Sequence, residues 1–276
     1  MGLHKSAAIA ALISCALLGQ SAPLSPEDQE EFLRQAKVLT QRYTSKGITL
    51  SQRATLSDGR LTHDAHIQRI NEAKTSFQTE RGVELNFRDT YKFNIAGYRL
   101  ARLLGLEDMV PVSIERKVAG QSAAVTWWID DVMMDEGARL KNKLTAPDAN
   151  RWNKQMNIVR IFDQLIYNTD RNRGNLLIRK DWSLCMIDHT RAFRKHRTLP
   201  NPKSLTMCDR VLLGRLRALG GEQLTKAVSP YLEKAEIEAV LARRDAIVAL
   251  FKTRIEEKGE NSVLFDYLPP VESSAR

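Results

Sequence analysis

A helical pattern that is broken by a polar loop and resumes as two short apolar strands constrains this chain more than any other feature. Trp152, Met156, Val159, Phe162 and Ile166 recur at helical spacing. The run Asn168-Thr169-Asp170-Arg171-Asn172-Arg173 then breaks the stripe, and Gly174 allows a tight backbone turn. The apolar runs at 176–178 and 184–187 read as the strands of a short hairpin, with Asp188 directly after the second. Helix, loop, hairpin and loop in this order bring Asp170, Asn175 and Asp188 to one end of the hairpin.

Two carboxylates and an amide so arranged suit phosphoryl transfer from ATP. One carboxylate accepts or orients the nucleophile's proton, while the amide and the second carboxylate hold metal ions that bridge the phosphates. Asp170 is accordingly the candidate catalytic base. Asn175 and Asp188 are the candidate ligands of Mg²⁺ or Mn²⁺, hard cations that take oxygen donors and few protein contacts. The competing account is a polar turn capped by Asp170 and Asn175, which leaves Asp188 unexplained.

The rest of the chain falls into four stretches. Residues 1–22 read as a leader. Lys5 precedes an uncharged apolar run, and Ser21 and Ala22 are small residues suited to signal cleavage. Leu12-Ile13-Ser14-Cys15 also fits a bacterial lipoprotein box, with Cys15 as a lipid anchor. Both readings imply an exported protein: periplasmic, cell-surface or secreted.

Residues 25–132 read as a small β-rich unit. A helix opens at Ser25-Pro26 and carries Phe32, Ala36 and Leu39 as its stripe. Strands are expected at 48–50, 53–56 and 61–70, with Asp58-Gly59 as a hairpin turn. Residues 72–82 read as a polar loop, 89–104 as a helix stopped by Gly105, and 110–118 and 122–129 as two further strands. Residues 133–258 read as mainly helical. They start from a capping box with Pro147 inside the first turn, and helices follow at 209–219 and 235–257. Residues 259–276 read as an irregular tail. The fold class is α+β.

Composition sets outer bounds. With 43% hydrophobic and 27% charged residues in 276, the chain is of ordinary globular type. The net charge of +9 is scattered, without basic runs or aromatic interleaving, which argues against a nucleic-acid partner. His63, His66, His189 and His196 show no zinc spacing, and His63 and His66 read as surface or hairpin residues. Cys185 and Cys208 read as structural thiols.

The pattern Asn168-x-Asp170-Arg171-x-x-Gly174-Asn175, followed by Ile187-Asp188-His189, resembles the active-site region of atypical kinases. These are the Golgi-type secretory-pathway kinases, the type II phosphatidylinositol 4-kinases and the bacterial HipA-like kinases. A looser likeness extends over Tyr98-Arg99-Leu100-Ala101-Arg102-Leu103-Leu104-Gly105-Leu106 and Val110-Pro111. The resemblance implies a two-lobed protein-kinase-like fold with a small β-rich N-lobe and a larger helical C-lobe. It also implies ATP as donor and a protein, lipid, sugar or small-molecule hydroxyl as acceptor.

Aligned by pattern, Gln68 stands where such a kinase has its phosphate-binding Lys, and Asn94 where it has the partner Glu. These are the candidate nucleotide-contacting residues, two neutral amides able to bond each other. Lys74, Lys92 or Arg69 could supply the phosphate cation instead. Arg191, Arg194 and Arg197 read as a solvated basic loop, with phosphate binding as the alternative. Trp127-Trp128 would fall at the hinge beside adenine, or in the core. A catalytically impaired pseudokinase and an exported structural metal-binding protein are the alternative functions.

Overall fold

Ser25 accepts a hydrogen bond from the backbone of Asp28, and Pro26 fits the first turn, so the chain enters a helix there. The computed structural model describes residues 24–44, 51–79, 82–168 and 170–269. The leader with Cys15, the expected strand at 48–50, Gly47 and Thr169 lie outside them. Helix α1 (Pro26–Gln35) ends sooner than its expected stripe: Leu39 is 54% exposed in strand β1 (Lys37–Tyr43).

Strands β2 (Gln52–Ser57) and β3 (Thr62–Gln68) form the expected hairpin. Asp58 accepts from the backbone of Arg60 and Leu61, and Gly59 takes φ +90°. The polar stretch expected as a loop is instead a second hairpin, β4 (Asn71–Thr79) and β5 (Gly82–Thr90). It is exposed along most of its length, and its stacked Phe77 and Phe87 rings, 4.2 Å apart, are an apolar exception. A ribbon wet on both faces shows no alternation from which to read a strand.

Asp89 and Thr90 complete β5, so helix α2 (Lys92–Leu103) begins three residues later than expected. Gly105, at φ +65°, closes it. Strands β6 (Ser113–Val118) and β7 (Gln121–Trp127) return to the sheet, whose order is β1-β2-β3-β7-β6. The apolar face of this sheet packs on α1 and α2.

The chain crosses at 128–131 into the helical half. Strand β8 (Val132–Asp135) pairs with β9 (Leu176–Arg179), which pairs with β10 (Leu184–Met186). Helix α3 (Glu136–Lys141) precedes the long α4 (Ala149–Ile166). Asp148 caps α4 through the Arg151 amide at 2.9 Å, so Pro147 lies before the helix rather than in its first turn.

Strand β11 (Cys208–Asp209) leads into α5 (Arg210–Ala218), α6 (Gly221–Val228) and α7 (Lys234–Lys258). The expected irregular tail instead carries α8 (Glu260–Val263) and β12 (Leu264–Phe265). Buried Asp209 explains this: it caps α5 and accepts from the amides of Tyr267 and Leu268, tying down the end of the chain. One continuous apolar core runs through both halves. Cys185 and Cys208 are buried free thiols. No helix among the described residues is long and apolar enough to cross a membrane.

Candidate active site

Helix α4 ends at Tyr167, which takes the left-handed conformation at φ 50° and turns the chain sharply into the polar loop. Arg171 organises this loop and its surroundings. Its guanidinium pairs with Asp163 at 2.9 Å, donates to the carbonyls of Asn175 and Ile187 at 2.8 Å each, and donates to His189 Nε2 at 3.0 Å. The end of α4, the start of β9 and the segment after β10 are thereby held by one side chain. Asn172 caps the short 3₁₀ turn that presents Asn175, and the Asn175 amide group donates to the Asp170 carbonyl at 3.3 Å.

Asp188 is partly buried and sits in the left-handed region at φ 54°, a strained placement for a residue with a Cβ. Its carboxylate accepts from the Thr190 hydroxyl at 3.1 Å. Burial pushes its pKa up, and nearby Asp89 adds to the rise against the Thr190 bond. Asp170 is 41% exposed at its side chain. Its pKa is also raised, by burial first; Asp188 and Asp89 add to this while Arg191 opposes it. Asp89 thus disfavours the ionisation of both Asp170 and Asp188, and Asp188 that of Asp170.

The two amides picked out from the pattern meet. Asn94 donates to Gln68 Oε1 at 2.7 Å, and the backbone N–H of His189 donates to Asn94 Oδ1 at 2.7 Å. Strand β3, helix α2 and the residue after Asp188 are joined by this relay. His189 accepts from Arg171, always a donor, so its imidazole is neutral. Burial, then Arg171, holds its pKa well below the ordinary value.

Residues alternate across a strand, so Asp64 and His66 share the Gln68 face of β3. Asp64 pairs with Arg53, which lies 4.2 Å over the Trp128 ring. His63 faces the other way, stacked 3.7 Å from Trp127 and bonded to Asp130. Burial pushes the His66 pKa down to about 4. Both histidines lie in the β2–β3 hairpin, as one branch of the expectation had it, and both are partly buried rather than surface residues. Trp127 packs on Phe32 of α1, while Trp128 remains at the crossing between the two halves.

The basic segment is not simply solvated either. Arg194 is buried, paired with Glu84 at 2.6 Å and bonded to the Arg88 carbonyl. Arg191 pairs through Nε with Asp89 at 2.9 Å and lies 3.6 Å from Asp170. Only Arg197 is largely exposed. The pairing of Asp89 with Arg191 has no signal in the local sequence: the register of β4 with β5 and the docking of Thr90 on the Thr190 carbonyl bring them together. Gly97 was likewise missed, although α2 needs it to approach His189.

The donors present suit a hard cation. Asp188 is a partly buried carboxylate whose pKa is raised by desolvation and by a neighbouring carboxylate, and a divalent ion would relieve both effects. Among the described residues no three His, Cys, Asp or Glu side chains cluster at metal-holding geometry. Asn175 and Asp188 are the residues that would hold such an ion, with few protein contacts, as Mg²⁺ tolerates.

No family model matches the chain, and no curated protein does. Solved structures do. Hydra Fam20, solved with sugar, superposes with a TM-score of 0.58 at 15% identity, over 86% of this chain and 90% of that one. A Golgi casein kinase superposes with a TM-score of 0.59 at 12% identity, over 90% of this chain and 79% of that one. At these identities the likeness speaks to architecture, and the chain has an atypical kinase-like α+β fold, an N-terminal β-sheet followed by a helical region.

Proposed function

We propose that this protein is an ATP-dependent phosphotransferase acting on a hydroxyl acceptor. The observation that carries the reading is the Arg171 network, which ties the Asp170 loop, the Asn175 turn and the strand before Asp188 to one another. Asp170 would accept or orient the proton of the acceptor hydroxyl, and its raised pKa moves it towards the range of a working base. Asn175 and Asp188 would hold Mg²⁺ or Mn²⁺, which when bound neutralises charge on the donor phosphates. Gln68 and Asn94 would line the donor side and hold His189, and with it Asp188, in place.

A second reading is favoured by one observation. The Gln68–Asn94 bond is a neutral pair where a working kinase has an ion pair, as a nucleotide- or partner-binding pseudokinase would have.

Thermal denaturation with ATP and Mg²⁺ or Mn²⁺ tests the site. Wild type is expected to gain stability only with nucleotide and metal together, and Asp188→Ala to lose that gain. No response to any pair would overturn the reading. Phosphate transfer by Asp170→Ala separates the two functions: a fall on the order of 10²-fold or more marks an enzyme with Asp170 as base. No transfer by wild type, despite binding, marks a pseudokinase.

A further inference from the structure

Phosphoryl transfer needs a cation on the donor phosphates, and β3 presents the neutral Gln68 there. Several other cations in the neighbourhood are committed elsewhere. Lys74 pairs with Glu72 and lies against Phe77 on the exposed hairpin. Arg69 donates to Gln52 and to the Val118 carbonyl within the sheet. Lys92 lies two positions from Asn94 on α2, about 200° around the helix and so on the far side. Arg171 is occupied by Asp163, two carbonyls and His189, and Arg194 is buried on Glu84.

Arg191 is paired as well, but with groups of the candidate site itself. Its guanidinium reaches from Asp89 at 2.9 Å towards Asp170 at 3.6 Å, and its side chain keeps 32% exposure. The Phe87 and Phe77 rings lie 5.3 and 5.9 Å beneath it, and the Thr90 N–H bonded to the Thr190 carbonyl at 3.0 Å fixes its backbone. Asp89 is buried, and its Oδ1 has no hydrogen-bond partner among the described residues. That carboxylate therefore depends on the arginine. A cation–anion pair does stand beside Asp170 and Asp188, but it joins the base of the β4–β5 hairpin to the segment after Asp188 rather than β3 to α2.

We propose that Arg191 is the residue that binds the donor's phosphates, in place of the lysine that β3 lacks. The inference rests on the phosphotransferase reading. The planar fork of a guanidinium can grip two phosphate oxygens while Asp89 anchors its Nε edge. The β4–β5 hairpin thereby has a task at the site: it carries the anion that aims Arg191.

Calorimetric titration with tripolyphosphate and Mn²⁺ tests this without a nucleoside. Arg191→Met is expected to weaken binding by about tenfold or more, and Arg191→Lys, which keeps the charge without the fork, by less. Arg191→Gln, which keeps a donor for Asp89, serves if the Met variant does not fold. A folded Met or Gln variant that binds within about threefold of wild type overturns the inference. So does a wild type that does not bind tripolyphosphate. Binding through Arg191 by a protein that neither binds ATP nor transfers its phosphate keeps Arg191 as a polyphosphate-binding residue and overturns the phosphotransferase reading.

Discussion

Asp188 combines partial burial, a neighbouring carboxylate and φ 54°, and a left-handed non-glycine residue alone costs about 1–3 kcal/mol. Such strain persists because Arg171, Asn94 and Thr190 fix the residues on either side. His66 allows a test of burial at the same scale. Its pKa is pushed down to about 4, so it stays neutral in the folded protein where the unfolded chain would protonate below about 6.5. The unfolded state then binds more protons, and stability falls as pH drops from about 6.5 towards 4. His189 acts in the same direction; Asp170 and Asp188, raised by burial, act in the opposite one. The His66→Gln variant isolates the first effect. The difference in melting temperature between variant and wild type is expected to move in the variant's favour as the pH is lowered across this window. A difference that does not change with pH would contradict the assignment.

Helix α2 is the element on which the site turns. Glu30 of α1 accepts from Tyr98 and pairs with Arg99 and Arg102, so α1 braces the outer side of α2. On its inner side Gly97 sits mid-helix, where glycine costs about 1 kcal/mol relative to alanine. A Cβ there would meet the His189 ring at 3.3 Å, and that ring is held by Arg171 while its backbone is held by Asn94. Gly97→Ala is therefore expected to lower phosphate transfer well beyond any loss of melting temperature, because the gain in helix propensity offsets the tighter contact. Equal and small changes in both measurements would show that His189 has room to move.

The two halves of the molecule are pinned along the α2 side. Arg88 pairs with Glu233 and with buried Glu236 at 2.6 Å, and Arg194 pairs with Glu84. The Met186 amide donates to the Met109 carbonyl, and the core is continuous from sheet to helices. Lobes joined this extensively are expected to unfold together, in one calorimetric transition whose calorimetric and van 't Hoff enthalpies agree. Two resolved transitions would show that each half is stable alone.

The stretch 168–193 was legible in the sequence because its chemistry is local. The helix α4, the polar loop and the β9–β10 hairpin that carry Asp170, Asn175 and Asp188 form from short-range patterns. The Gln68–Asn94 contact was legible too, because the resemblance to kinases places the two residues where a Lys and a Glu would pair. The β4–β5 hairpin was not legible: its residues are solvated on both sides, and without a buried face no alternation marks a strand. Nor was the pairing of Asp89 with Arg191, which lie 102 residues apart. Local residue patterns determined the kinase-like order of elements and the loop that bears the candidate chemistry. Only the packing of the hairpin's base against the segment after Asp188 decided where the site's cation stands, because that position depends on long-range register rather than on any neighbouring residue.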